Sequence, residues 1–367
     1  MGRLTWVLAN WIECHGLMCI LGSVVMLGSA IIVHAYLRSH ANKTDIKMYP
    51  PSGPGGNYLA MMGSGFAGLI IANLVWGWRL DPAAGMSYIA VFIVCCAVPQ
   101  GLAITYGNNW KVWLTAGAIC GIIQYPFEEA GMDISKIIHV PPLVIFTTLV
   151  VFVSGIICVE IFKICPWVRK YVKDPKARTA KPYVQTNCAP RATGGWLIRR
   201  TLADFTEIMF FGNEWVGLAT IIACVASWLL NPGSLVYGTP GPVPAMIFGG
   251  IMADSLALFI YHKKYLERGF FNTFCTVSAM MLPMLYMAMN GPTAAPTSIP
   301  FVIICAILIA FVAPLVCNGM ADWMFPRMGK RYEGAVNAVM CNAPSIGVSI
   351  LVVFLGMSGI WATGLFG

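Results

Sequence analysis

Apolar runs of about 18–20 residues, each long enough to cross a hydrocarbon core, recur along the whole of this chain. Only 10% of the 367 residues are charged, and 58% are hydrophobic. A soluble domain carries roughly 25% charged residues. So few charges cannot cover a water-facing surface, and lipid must form part of the solvent. The runs predict an all-α polytopic membrane protein of about ten transmembrane helices. They fall near 17–37, 58–78, 84–106, 111–125, 142–162, 214–230, 242–261, 270–290, 299–324 and 334–360. The segment 1–16, with Trp6 and Trp11, reads as an interfacial entry helix. Met1 to Leu37 does not read as a signal peptide. Only Arg3 precedes the apolar run, and no small-x-small cleavage site follows it.

Between the fifth and sixth runs lies a linker, 163–213, of a different kind. From Lys163 to Arg200 it holds ten Lys or Arg against one acid, Asp174, together with Pro166, Pro175, Pro182 and Pro190. It divides the chain into an N-terminal five-helix half (1–162) and a C-terminal five-helix half (214–367). Its last part, from Trp196 to Phe211, mixes apolar and polar residues as a helix lying on a membrane surface does. Placing the linker in the cytoplasm and alternating sides puts 20 of the 23 basic residues inside; Arg3, Arg79 and Lys136 fall outside. That is the asymmetry of the positive-inside rule. It predicts a multi-pass plasma (inner) membrane protein with both termini extracytoplasmic. The net charge of +8 is thereby a matter of topology and anionic lipid. Nucleic acid is not an expected partner, because the basic residues are not interleaved with aromatics in any stacking pattern.

Five is odd, so two successive five-helix halves have inverted topology. The segments Ala60-Met61-Met62-Gly63-Ser64-Gly65 and Ala245-Met246-Ile247-Phe248-Gly249-Gly250 lie 185 residues apart, and the same offset pairs Ala72 with Ala257. Pro99, in Pro99-Gln100-Gly101, and Pro283 fall at nearly equivalent places in the third and eighth runs. Proline removes a donor and frees a carbonyl one turn back, so broken third and eighth helices are expected. Paired breaks in inverted halves point to a transport site. The layout resembles that of transporters with five-plus-five inverted repeats, among them carboxylate and bicarbonate symporters and the sugar-permease subunits of phosphotransferase systems. The likeness is one of architecture, and it implies no residue roles.

Polar groups at membrane depth are functional candidates. Asp254 follows Gly249 and Gly250 and lies eight residues before His262, about 12 Å along a helix. It is the expected site for a coupling Na⁺ or H⁺, beside glycines that admit a helix or ligand. Asn73, Gln100, Asn290 and Asn342 are the candidate solute- or ion-binding amides, the last three near proline breaks. Glu128, Glu129 and Asp133 read as an acidic extracytoplasmic loop after a short fourth span. The thirteen cysteines lie mostly within apolar runs and form no CxxC pair. They read as small buried hydrophobes. Glu13, Cys14, His15 and Cys19 are the nearest approach to a soft-metal set, and neither a resident metal nor another cofactor is expected.

These features predict a permease, not an enzyme: an ion-coupled secondary transporter, such as a symporter, for a small polar or anionic solute. The alternative is an integral membrane subunit of a multi-subunit enzyme or uptake complex. Expected partners are the lipid bilayer and the solute. A second copy of the chain, or a cytoplasmic protein on the basic linker, would be further ones.

Overall fold

A computed structural model describes residues 20–39, 58–77, 97–107, 109–178, 194–207, 211–230, 243–268, 271–290 and 298–364. Among these residues the chain is helical, with no strand. The principal helices are α1 (Ile20–Ser39), α2 (Tyr58–Trp76), α3 (Val98–Tyr106), α4 (Trp110–Ile138), α5 (Pro142–Ile164), α6 (Gly194–Glu207), α7 (Glu214–Leu230), α8 (Val243–Arg268), α9 (Cys275–Asn290), α10 (Ile299–Met328) and α11 (Gly334–Ala362). Five of them, α2, α5, α8, α10 and α11, are long and apolar enough to cross a membrane. Their outer faces carry large apolar residues such as Phe248, Phe259, Phe311, Leu315 and Leu355. Their buried faces mix small or pliable residues, among them Ala72, Ala253, Ala257, Ala310 and Met340, with a few rings such as Phe162 and Phe301. A water-soluble bundle has the opposite arrangement. The segment 1–16, the cluster Glu13 to Cys19, the start of the third predicted span and the linker residues 179–193 lie outside the described residues.

The described residues form two compact units. One draws on 58–178 and 322–344, the other on 20–39, 194–321 and 345–364. In the first, α2 and α4 pack at backbone distance. A Cβ on Gly117 would run into the Ser64 carbonyl and come 2.6 Å from the Gly68 nitrogen, and one on Gly121 would run into the Gly68 carbonyl. Small residues every fourth position on both helices make this approach feasible. In the second unit, Gly217 of α7 sits against the Leu202 carbonyl of α6 in the same manner. Tyr261 of α8 donates to the Phe311 carbonyl of α10 at 2.8 Å.

Two expectations about helix limits and breaks need correction. The fourth span does not end at residue 125, and 126–141 is not a loop. The helix α4 continues to Ile138 through Pro126. Pro126 cannot donate to the Ile122 carbonyl, and Trp76 Nε1 donates to that carbonyl instead, at 3.0 Å. The helix stops at His139, which takes a left-handed conformation (φ 54°) and is followed by Pro141 and Pro142. Likewise Pro283 does not break the eighth predicted span. It is buried inside α9, which is helical on both sides of it; one lost hydrogen bond is tolerated where the chain is packed. Pro99 sits in the first turn of α3, where its missing N–H costs nothing.

A different irregularity appears in α5. Its middle, Phe146–Ser154, is π-helical, and this widened turn faces α4: Gly131 lies against Ile145, Phe146 and Val150.

Candidate functional site: a buried charged cluster around Asp254

The helix α6 has a polar inner face. Arg200, Asp204 and Glu207, spaced at i, i+4 and i+7, are all buried, whereas Ile198 is 65% exposed. Packing against α7 and α8 thus sequesters these charged groups together with apolar residues of the same helix, Trp196 and Phe205, which are buried as well. The Arg200 guanidinium, with no exposed surface, pairs with both Asp204 and Glu207. Its Cζ also lies 5.5 Å from the ring centroid of Tyr265. Arg199 turns the other way and bonds Glu214 through Nε at 3.2 Å.

Asp254, on α8, has no exposed surface. Thr276, in the first turn of α9, donates to its Oδ1 at 3.0 Å. Thr273 donates to Asp204 Oδ2 at 2.7 Å. The Asp254 carboxyl lies within hydrogen-bonding reach of the Asp204 carboxyl and feels Arg200. Its Oδ2 receives no hydrogen bond from the described residues. Burial raises the Asp204 carboxyl above the ordinary range, against the pull of Arg200. One guanidinium therefore pairs with two carboxyls, of Asp204 and Glu207, and lies near enough to influence a third, of Asp254.

The frame around the cluster is tight. A Cβ on Gly250 would meet the Phe205 ring at 3.3 Å, and one on Gly249 would meet Met280 and, at 3.1 Å, Val302. Glycine at both positions lets α6, α9 and α10 close around Asp254. The segment before α9 is pinned by Asn318: its Oδ1 accepts from the Asn272 N–H at 3.0 Å, and its Nδ2 donates to the Asn272 carbonyl at 3.2 Å. Thr201 and Ser255 hydroxyls meet at 3.1 Å.

The remaining sequence candidates divide between the two units. Gln100 belongs to the first unit, next to Pro99; it is fully buried, and neither Nε2 nor Oε1 has a partner among the described residues. Asn73 donates to the Leu69 carbonyl of its own helix at 2.9 Å. Asn342 is half-buried on α11. Asn290 ends α9, with its side chain outside the described residues. The structure thus groups Asp254 with Gly249 and Gly250, and adds Arg200, Asp204, Glu207, Thr273 and Thr276. Sequence reasoning passed over these five residues. The signal for α6 was its i, i+4, i+7 charge spacing, which reads as a solvated face until its packing is known.

Within the described residues, no group of three or more His, Cys, Asp or Glu is placed to hold a metal ion. Compared with known protein families and with curated protein sequences, the chain matches none.

Proposed function

We propose that this chain is a multi-pass membrane permease that couples movement of a small polar or anionic solute to a cation, H⁺ or Na⁺, taken up at Asp254. The observation that carries the reading is the charge imbalance of the cluster. Three buried carboxyls, of Asp204, Glu207 and Asp254, lie around one buried guanidinium that pairs with the first two, and one carboxyl oxygen of Asp254 lacks a donor among the described residues. Uncompensated charge in a low-dielectric interior is too costly to persist. A proton or a small hard cation neutralises it, and either can be exchanged. Gln100 supplies the first unit with a buried amide suited to a polar solute.

The architecture favours ten spans in two inverted halves. The helices α2 and α8 begin 185 residues apart, at Tyr58 and Val243, the offset of the sequence repeat. Gly117 packs on Ser64, and Gly249 packs on Val302; the second pair is the first shifted by the same 185. The side assignment is favoured by the contacts within each unit. Tyr106 stacks on Phe162, Arg178 pairs with Glu333, and Arg331 pairs with Glu160, all at ends assigned to the cytoplasm. Phe301 meets Trp361 at ends assigned to the outside.

The test is solute uptake by proteoliposomes under an imposed Na⁺ or H⁺ gradient, with small carboxylates, bicarbonate and sugars as the panel. The expected result is gradient-driven accumulation of one class, abolished in Asp254→Asn. Equal behaviour of the two proteins, or no accumulation under either gradient, overturns the reading.

A further inference from the structure

The first unit contains a second buried acid, and its surroundings differ from those of Asp254. Glu128 is 2% exposed, and neither carboxyl oxygen has a hydrogen-bond partner among the described residues. One turn earlier on the same face of α4 stands Gln124, also buried. Its Nε2 donates to Ser154 Oγ at 3.3 Å, and Ser154 gives its own proton to the Val150 carbonyl. These two bonds orient the amide: the NH₂ must point at Ser154, because the hydroxyl has no proton left to give. Gln124 Oε1 is then left without a donor.

Among the described residues, three buried polar atoms at this place are therefore unsatisfied, and all three are acceptors. A proton on Glu128 relieves the charge but satisfies at most two of them. A cation satisfies all three at once. The ligand types are hard oxygens, two from a carboxylate and one from an amide, with Ser154 Oγ alongside. Such a set suits Na⁺ better than a soft transition metal. The π-helical turn of α5 lies opposite. Gln124 meets Ser154 at one end of that turn, and Gly131 meets Phe146 and Val150 at the other; Glu128 falls between. π-Helical turns inside α-helices recur at functional sites.

We infer that Glu128, Gln124 and Ser154 form a Na⁺ site in the first unit, separate from the Asp254 cluster of the second. This inference does not depend on Asp254 binding a cation.

Radiolabelled ²²Na⁺ binding to the purified full-length protein tests it. Wild type, Glu128→Gln, Gln124→Leu and Asp254→Asn are compared in choline-replaced buffer. The expected results are that Glu128→Gln loses one class of bound Na⁺, Gln124→Leu weakens that class about tenfold or more, and Asp254→Asn retains it. Should Glu128→Gln fail to fold, Gln124→Leu alone decides. Wild-type binding in both the Glu128 and Gln124 variants overturns the inference. So does an absence of Na⁺ binding to the wild type, which would make Glu128 a carrier of a proton only. Loss of all binding in Asp254→Asn, with Glu128→Gln unaffected, would assign the cation to the other cluster and likewise overturn it.

Discussion

Thr276 Oγ1 lies 3.0 Å from Asp254 Oδ1 and 2.8 Å from the Thr273 carbonyl. One hydroxyl proton thus serves two acceptors. When Asp254 carries a proton, Thr276 can accept it and donate to the carbonyl. When Asp254 is ionised, Thr276 can donate to the carboxylate. The pair is suited to both states, as a reversibly loaded carboxyl requires. Replacing Thr276 with Val removes the hydroxyl donor to Asp254 seen among the described residues and should destabilise the fold by about 1–3 kcal/mol; Thr276→Ser should restore most of the loss. Thermal unfolding of the purified variants reads both, and an unchanged midpoint for Thr276→Val would contradict the role given to this hydroxyl.

Arg200 supplies the positive charge in the cluster. Removing one member of a buried ion pair typically costs about 3–5 kcal/mol. Arg200→Met should therefore lower stability by that order, since Asp204 and Glu207 lose their partner. Adding Asp254→Asn to Arg200→Met should recover part of the loss, because one fewer carboxyl is left uncompensated. A double-mutant cycle by denaturant or thermal unfolding measures the coupling; additive losses would show that the two groups do not share one electrostatic account.

The Ile122 carbonyl gives a cleaner cycle. It accepts Trp76 Nε1 because Pro126 has no N–H to offer. Trp76→Phe should cost about 1 kcal/mol. In a Pro126→Ala background the restored helix bond satisfies the carbonyl, so the same substitution should cost clearly less. Equal costs in the two backgrounds would mean that the indole bond contributes nothing specific.

Tyr332, in the turn between α10 and α11, has a phenol pushed up from 10.0 to about 12 by burial, with the Glu160 carboxylate adding to the shift. The folded protein then holds this proton through a range in which the unfolded chain has released it. The contribution is fully present below pH 10 and is lost as pH rises towards 12. Tyr332→Phe should flatten the alkaline limb of the stability curve over that window and leave its neutral part nearly unchanged. A difference between the two proteins that is constant across pH would rule this linkage out.

Much of the fold was legible because long apolar runs leave few options. The limits of α7, Glu214–Leu230, coincide with the sequence reading, since Asn213 before it and Asn231-Pro232-Gly233 after it punctuate the run. Misreadings arose where local chemistry is ambiguous. The sequence reading ends the fourth span at residue 125, yet its helix runs on to Ile138, an indole from another helix taking the carbonyl that Pro126 frees. Glu128 looked like a loop acid because its helix carries Glu129, Asp133 and Lys136 nearby; only packing shows that its own face is the buried one. Asp254 could be singled out by depth alone. Its partners could not, because Arg200 and Asp204 lie some fifty residues earlier in a linker whose excess charge argued for solvent. Several of the linker's cations are in fact engaged within the chain: Arg178 with Glu333 at 2.6 Å, Arg199 with Glu214, and Arg200 with Asp204.

The central claim is that the cluster around Asp254 takes up an exchangeable cation. Its most direct test is thermal unfolding of wild type and Asp254→Asn in lipid, at acidic and at mildly alkaline pH, with Na⁺ or with choline. The account predicts that Na⁺ or protons raise the wild-type midpoint and that Asp254→Asn loses that response, or the share of it not removed by Glu128→Gln. Identical responses of wild type and Asp254→Asn to both cations would contradict it and leave Asp254 a structural carboxyl.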